Sequence, residues 1–204
     1  MDDGMTSTLK NVCVYCGSAP GDDPAYRAAA ETLGTSLARA GLGLVYGGGN
    51  NGLMGITARS VLQAGGHVVG VIPDFLKNKE SMLRDAQELI TVPDMHTRKR
   101  IMFERADAFV ALPGGIGTLE ELVEQMTWSQ LGRHRKPVLI ADIGGFWRPM
   151  LSLFAHMRDK GFIRPEFEIS YLVAEKVEDI VPMLTKAART AERQGGAQPL
   201  DPRL

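Results

Sequence analysis

Two glycine-rich clusters contain the residue types that bind phosphate, and the sharper of them is PGGIGTLEE at residues 113–121. It directly follows the apolar run AFVAL (108–112), where a predicted strand gives way to a predicted helix. Three glycines let successive backbone N–H groups point into one concavity, and the helix adds the positive end of its dipole. Thr118 offers a hydroxyl to the same anion. No lysine follows as in the P-loop pattern G-x-x-x-x-G-K-S/T, so the simplest ligand is a single phosphate rather than a triphosphate.

A carboxylate follows this predicted phosphate site. Glu121 lies four residues after Gly117, so a helix places the two on the same face, one turn apart. A carboxylate in the first turn also stabilises the helix dipole, and we expect Glu120 to do only that. Glu121, one turn from a bound phosphate, would lie beside any sugar attached to it. The residues by themselves leave both roles of Glu121 open.

The second cluster, GGGNNGLMG (47–55), follows the apolar run LGLVY and contains the pattern G-x-G-x-x-G at Gly47, Gly49 and Gly52. Between a strand and a helix this pattern is typical of dinucleotide-binding folds, and it is the only support for an NAD-dependent oxidoreductase. Two observations argue against a dinucleotide site. The cluster follows the second predicted strand rather than the first, and the strand after the cluster does not end at a clear ribose-binding acid. These glycines could instead serve only to let a helix pack closely against a strand. We expect a loop that faces phosphate or ribose, without a dinucleotide.

A third group, DMHTRKR (94–100), begins a predicted helix after the apolar run LITV. Cationic residues at a helix N-terminus are disfavoured by the dipole, so Arg98 and Lys99 at this place indicate an anionic ligand. Arg100 is expected on a solvated face. His96 has no partner at metal-ligand spacing, so the sequence predicts no metal site, and no cofactor is expected.

Charge and cysteine usage exclude several classes of protein. The 23 basic and 24 acidic residues give a net charge of -1, which argues against capture of nucleic acid or of an anionic membrane. Cys13 and Cys16 have redox-motif spacing, but a strand would place them on opposite faces, so we interpret both as core residues. There is no apolar leader and no apolar run of transmembrane length. A soluble, cytoplasmic protein is expected.

Short apolar runs alternate with amphipathic stretches, which is typical of repeated βα units. Strands are predicted at 11–16, 42–46, 67–72, 89–92, 108–112 and 137–141, with an edge strand at 169–173. A first helix is predicted at Asp22-Asp23-Pro24, where an N-cap residue precedes a proline at the first helical position. Further helices are predicted after Gly117 and at 147–160 and 176–192. We predict a single Rossmann-like domain over 1–204, with a core at about 10–185 and flexible tails. Its fold is α/β, a doubly wound parallel sheet with helices on both faces and ligands at the carboxyl ends of the strands.

Five motifs in family order resemble the Lonely Guy (LOG) family of cytokinin riboside 5'-monophosphate phosphoribohydrolases, often mislabelled as lysine decarboxylases. They are CVYCGSAPG near the start, YGGGNNGLMG, MHTRK (95–99), PGGIGTLEE and TWSQLGRHRKPV (127–138). PGGIGTLEE matches the family signature P-G-G-x-G-T-x-x-E, and the resemblance covers roughly residues 10–185. It implies hydrolysis of the N-glycosidic bond of AMP or an N6-modified adenosine 5'-monophosphate, which releases the base and ribose 5-phosphate.

The resemblance also implies site residues and an assembly. Arg98 and Glu121 match the family's catalytic pair. The residues predicted to bind the nucleotide, by motif or by position, are Ser18, Gly48, Glu80, Met95, Arg98, Lys99, Gly114, Gly115, Ile116, Gly117, Thr118, Leu119, Glu120 and Thr127. The family is typically a homodimer with sites near the subunit interface, so a homodimer is expected.

Alternatives remain open from the sequence. A non-catalytic nucleotide carrier or sensor would need the glycine loop but not Glu121. A lysine decarboxylase has no support, because no lysine lies in a recognisable cofactor setting. Arg98 either holds phosphate or positions Glu121.

Overall fold

The computed structural model describes residues 9–77, 82–164 and 168–193, and its centre is a seven-stranded sheet. The strands are β1 Asn11–Tyr15, β2 Gly43–Tyr46, β3 Val68–Pro73, β4 Glu88–Val92, β5 Ala108–Ala111, β6 Val138–Ala141 and β7 Leu172–Ala174. Their order is β4-β3-β2-β1-β5-β6-β7, and every pairing is parallel. The predicted doubly wound parallel sheet is confirmed, and its strand order reverses direction between β1 and β5.

Helices cover both faces of this sheet. They are α1 Pro24–Arg39, α2 Gly52–Gln63, α3 Met95–Arg105, α4 Ile116–Gln130, α5 Arg148–Asp159 and α6 Ile180–Arg193. Buried residues of α1, α2 and α6 form one apolar core with the sheet, and those of α3, α4 and α5 form the other. The prediction for α1 is confirmed, since the Asp23 carboxylate caps its first turn, accepting from Ala25 N–H at 2.8 Å, and Pro24 is the first helical residue.

The two cysteines confirm the alternation of side chains along β1. Cys13 belongs to the core on the α3–α5 face and Cys16 to the core on the α1–α2 face, and both are buried free thiols. Burial raises the pKa of each thiol far above its ordinary value, so neither is a thiolate near neutral pH. Both are core residues and not a redox pair.

Two predicted elements are shifted in the structure. The predicted edge strand at 169–173 pairs only over Leu172–Ala174, because its partner β6 offers pairing positions only at Leu139–Ala141. The helix predicted at 176–192 begins at Ile180, after a 3-10 turn at Val177–Asp179. That start leaves Pro182 in the first helical turn, where its missing N–H breaks no hydrogen bond. The residues before 9 and after 193, where tails were predicted, lie outside the described residues.

No helix within the described ranges has both the length and the apolar composition that a bilayer crossing needs.

Candidate active site

The loops that follow β1, β2 and β5 meet at the carboxyl edge of the sheet, at the point where the strand order reverses. Gly17 N–H donates to Pro113 O at 3.1 Å, which joins the loop after β1 to the loop after β5. Leu53 N–H in α2 donates to Gly17 O at 3.0 Å, which brings the start of α2 to the same place. Ser18 is exposed beside these contacts. Such a crevice is where ligands bind in doubly wound sheets.

The start of α4 presents free backbone donors to this crevice. Its N-cap residue, Gly115, makes no side-chain capping bond, and the first helical hydrogen bond runs from Leu119 N–H to Gly115 O at 3.1 Å. The N–H groups of Ile116, Gly117 and Thr118 therefore precede the helical hydrogen bonds. A Cβ on Gly115 or Gly117 would meet nothing within 4 Å, so the missing side chains leave open space over these donors. The geometry fits an anion such as phosphate.

Arg98 is held at the base of the site by three acceptors from three elements. Its side chain is 9% exposed; Nε donates to Val71 O at 3.1 Å and Nη2 to Gly47 O at 3.3 Å. Nη1 lies 3.6 Å from Glu121 Oε1. The guanidinium is thus fixed by the ends of β2 and β3 and directed at one carboxylate. This arrangement favours positioning of Glu121 over a free phosphate-binding role for Arg98.

Glu121 is a buried carboxyl group with one charged partner. Its side chain is 12% exposed, and burial raises its pKa to about 7, although the charge of Arg98 acts in the opposite direction. The Glu121 carboxyl therefore holds its proton to a higher pH than an exposed glutamate does. A carboxyl group poised in this way suits acid–base chemistry and the stabilisation of a developing cation.

Lys99 connects α3 to α4 next to this pair. Its Nζ lies 2.7 Å from Glu120 Oε1 and 3.0 Å from Glu124 Oε1. The prediction that Glu120 acts only on the helix dipole is therefore wrong, because its carboxylate contacts Lys99. Burial alone would lower the pKa of Lys99, but hydrogen bonds to both carboxylates raise it, so its amine stays protonated. Sequence reasoning missed Glu124, although its spacing four residues after Glu120 signals a shared helix face.

Close packing explains two glycines of the cluster at residues 47–55. A Cβ on Gly47 would collide with Arg98 Nη2, so only glycine leaves room for the guanidinium. Gly52 has a φ of 56°, and a Cβ there would collide with the carbonyl of Ser18. These contacts account for the dinucleotide-like spacing of Gly47 and Gly52 without a dinucleotide. Direct contact of this loop with phosphate or ribose stays a prediction.

The remaining predicted residues occupy several places. Met95 lies beside Arg98, with Sδ 3.8 Å from Nη1, and Gly48 O accepts from Leu83 N–H at 3.3 Å. Thr127 is exposed on α4, where its hydroxyl donates to Val123 O at 2.8 Å. Glu80 lies outside the described residues. A Cβ on Gly114 would lie 2.8 Å from Gly17 N, so the two loops pack closely at this point. Leu119 is partly buried, whereas His96, Arg100 and Val123 are exposed.

The described residues bring together no group of three His, Cys, Asp or Glu side chains that would hold a metal ion.

The sequence of the chain is similar to the sequences of several known proteins. A family model described as "Possible lysine decarboxylase" matches residues 54–184. The chain is 44% identical over 178 residues to the cytokinin riboside 5'-monophosphate phosphoribohydrolase LOG7 of Arabidopsis thaliana, an alignment covering 87% of this chain and 82% of that relative. It is 45% identical over 175 residues to the phosphoribohydrolase LOG of Oryza sativa subsp. japonica, with 86% and 72% covered.

Solved structures show the same fold at lower identity. The molybdenum cofactor carrier protein of Chlamydomonas reinhardtii superposes with a TM-score of 0.67 at 20% identity, over 89% of this chain and 99% of that chain. A molybdenum cofactor binding protein of Rippkaea orientalis gives 0.65 at 21% identity, over 89% and 98%. At these identities the similarity shows the fold alone.

Proposed function

The chain belongs to the LOG family of cytokinin riboside 5'-monophosphate phosphoribohydrolases, and from that membership we propose that it hydrolyses nucleoside 5'-monophosphates. The substrate is AMP or an N6-modified adenosine 5'-monophosphate, and the products are the free base and ribose 5-phosphate. The observation that carries this proposal is a buried carboxyl, Glu121, one helical turn from unpaired backbone donors and 3.6 Å from Arg98.

The reaction places charge where the site has complementary groups. As the N-glycosidic bond breaks, positive charge develops on the ribose and negative charge on the departing base. An ionised Glu121 beside C1' stabilises that cation and orients or deprotonates the attacking water. The backbone N–H groups of Ile116, Gly117 and Thr118 bind the 5'-phosphate, and this remote contact holds the sugar against the carboxylate.

Two other activities fit the site less well. A nucleotide carrier needs the phosphate-binding loop but has no need for a buried carboxyl whose pKa is raised to about 7. A lysine decarboxylase would need a neutral lysine amine to form a Schiff base. Lys99, next to the site, is instead held protonated between Glu120 and Glu124. The side chains of the site are therefore more consistent with a hydrolase than with a nucleotide carrier or a lysine decarboxylase.

The function is tested by incubating the protein with AMP, with isopentenyladenosine monophosphate and with adenosine, and by measuring the free base by chromatography. We expect base release from the monophosphates and at least about 10²-fold lower kcat/KM for adenosine, because adenosine lacks the phosphate that α4 binds. Release of adenine from AMP and adenosine at comparable rates would contradict the role of the phosphate. No base release from either monophosphate would favour the carrier.

A homodimer is part of the same proposal. Ile116, Val123 and Leu131 are 83%, 39% and 68% exposed, and their spacing places them on one side of α4. The exposed Thr127, a predicted nucleotide contact, lies on the same helix at about 16 Å along the axis from Ile116. We expect light scattering to give twice the chain mass, and Val123→Glu to give the monomer. A wild-type monomer at micromolar concentration would contradict this assembly.

We also propose that the protein is cytoplasmic and that it binds neither nucleic acid nor membranes. The near balance of 23 basic and 24 acidic residues supports the expected lack of nucleic-acid and membrane binding.

A further inference from the structure

A cavity of about 640 Å³ lies at the amino edge of the sheet, on the side opposite to Glu121. Its walls are the carboxyl end of α4, the amino ends of β6 and β7, and the face of α6 between residues 183 and 191. The 15 residues of α4 separate it from the phosphate-binding end of that helix by roughly 22 Å. The cavity is therefore not an extension of the candidate active site.

The charged side chains that line this cavity all have the same sign. They are Arg135, Lys136 and Lys186, with the buried imidazole of His134 beside them, and none of the described lining residues is Asp or Glu. Acidic residues slightly outnumber basic ones in the whole chain, so this composition is a local excess of positive charge. Such a wall favours an anionic ligand.

Lys186 is the cation best placed to meet such a ligand. Lys136 is already engaged, because its Nζ donates to Phe103 O at 2.7 Å and lies 4.0 Å from the centre of the Phe103 ring. Lys186 is exposed at the cavity and forms no ion pair with any described residue. It also lines an adjoining cavity of about 460 Å³, together with Arg189 and Arg193, which adds to the positive potential at the same end of α6.

The rest of the lining is mostly apolar. Tyr171, directly before β7, lines the cavity with Leu172 of β7 and Met183 of α6, and small residues such as Ala187 leave the space between them. A volume of about 640 Å³ falls within the range of small-molecule sites, which combine an apolar wall with a few polar anchors. We propose that this cavity is a second ligand site for a soluble organic anion, whose acidic group contacts Lys186 and whose apolar body packs on Tyr171, Leu172 and Met183.

Two matched probes test this site in the full chain. The first is 8-anilinonaphthalene-1-sulfonate, an anion on an aromatic body, and the second is N-phenyl-1-naphthylamine, which has nearly the same body without the sulfonate. We expect saturable fluorescence enhancement by the anion in the presence of saturating AMP, and roughly tenfold weaker binding of the neutral probe, because Lys186 contributes a charged contact. Displacement of the anionic probe by AMP would overturn the proposal, because it would place the probe in the catalytic crevice.

Variants at the cavity separate a built site from general surface binding. Lys186→Gln should weaken binding of the anionic probe roughly tenfold and leave the neutral probe unchanged. Ala187→Trp should block both probes by filling the space, and Lys176→Gln, an exposed lysine outside the cavity lining, is the matched control. AMP hydrolysis should stay at the wild-type rate in all three variants, which confirms folding independently of the probes. Equal effects of Lys186→Gln and Lys176→Gln would overturn the proposal.

Discussion

Replacing Glu121 by glutamine is expected to lower kcat for AMP hydrolysis by roughly 10²-fold or more while the affinity for AMP stays close to wild type. The amide keeps the size of the carboxyl and an acceptor for Arg98 Nη1, but it carries no negative charge to stabilise a ribosyl cation and no basicity to activate water. The phosphate-binding donors of α4 are unchanged. Single-turnover rates and titration calorimetry with AMP measure the two quantities separately.

The pH dependence provides an independent measure of the same carboxyl. Burial raises the pKa of Glu121 to about 7, so the group is mostly protonated at pH 6 and mostly ionised at pH 8. If the ionised form is active, kcat/KM for AMP falls about tenfold per pH unit below pH 7 and reaches a plateau above it. The residual activity of Glu121→Gln should lack this acid limb, although the substrate phosphate still titrates.

The control for this variant is Glu104→Gln, an exposed carboxyl on α3, which should keep wild-type kcat and the acid limb. An equal loss of AMP affinity and rate in Glu121→Gln would assign the carboxyl to substrate binding. Unchanged hydrolysis would remove Glu121 from the mechanism altogether.

Replacing Arg98 by methionine is expected to damage both stability and catalysis. It removes the donors to Val71 O and Gly47 O and leaves Glu121 as a buried carboxyl without its counter-charge. Loss of one partner of a buried pair costs about 3–5 kcal/mol, which denaturant unfolding measures. The kcat should fall by at least about 10²-fold, because the carboxyl is no longer oriented.

Arg98→Lys keeps the charge in case the methionine variant does not fold. One ammonium cannot reach acceptors on β2, β3 and α4 in the geometry of the planar guanidinium, so we expect a lower kcat here too. If Arg98 positions Glu121, the preference for AMP over adenosine survives in this variant. If Arg98 holds phosphate, the preference collapses and KM for AMP rises.

The matched control is Arg100→Met on the exposed face of the same helix, with little expected change in rate and a change in unfolding free energy within about 0.5 kcal/mol. Comparable losses in Arg98→Met and Arg100→Met would contradict the buried role of Arg98.

Much of the fold followed from local patterns. Apolar runs of four to six residues predicted six strands to within about a residue, because strands covered on both faces exclude polar side chains. The sequence also predicted that α1 starts at Asp23-Pro24 and that Cys13 and Cys16 face opposite sides of the sheet. Both features depend only on neighbours in the chain. The predicted boundaries of β7 and α6 were less accurate. Pairing with β6 sets the extent of β7, and the position of Pro182 in the first turn sets the start of α6.

Local sequence by itself predicted a glycine-rich turn at the start of α4 with Glu121 one helical turn after it, because both depend on spacing along one helix. Only the tertiary structure showed the contacts of Arg98 and the reason for Gly47. Val71, Gly47 and Glu121 are far from Arg98 in the chain, and only the parallel sheet brings the ends of β2 and β3 to the start of α4. It also decided the pKa of Glu121, because burial depends on every element packed around a side chain and not on its neighbours in sequence.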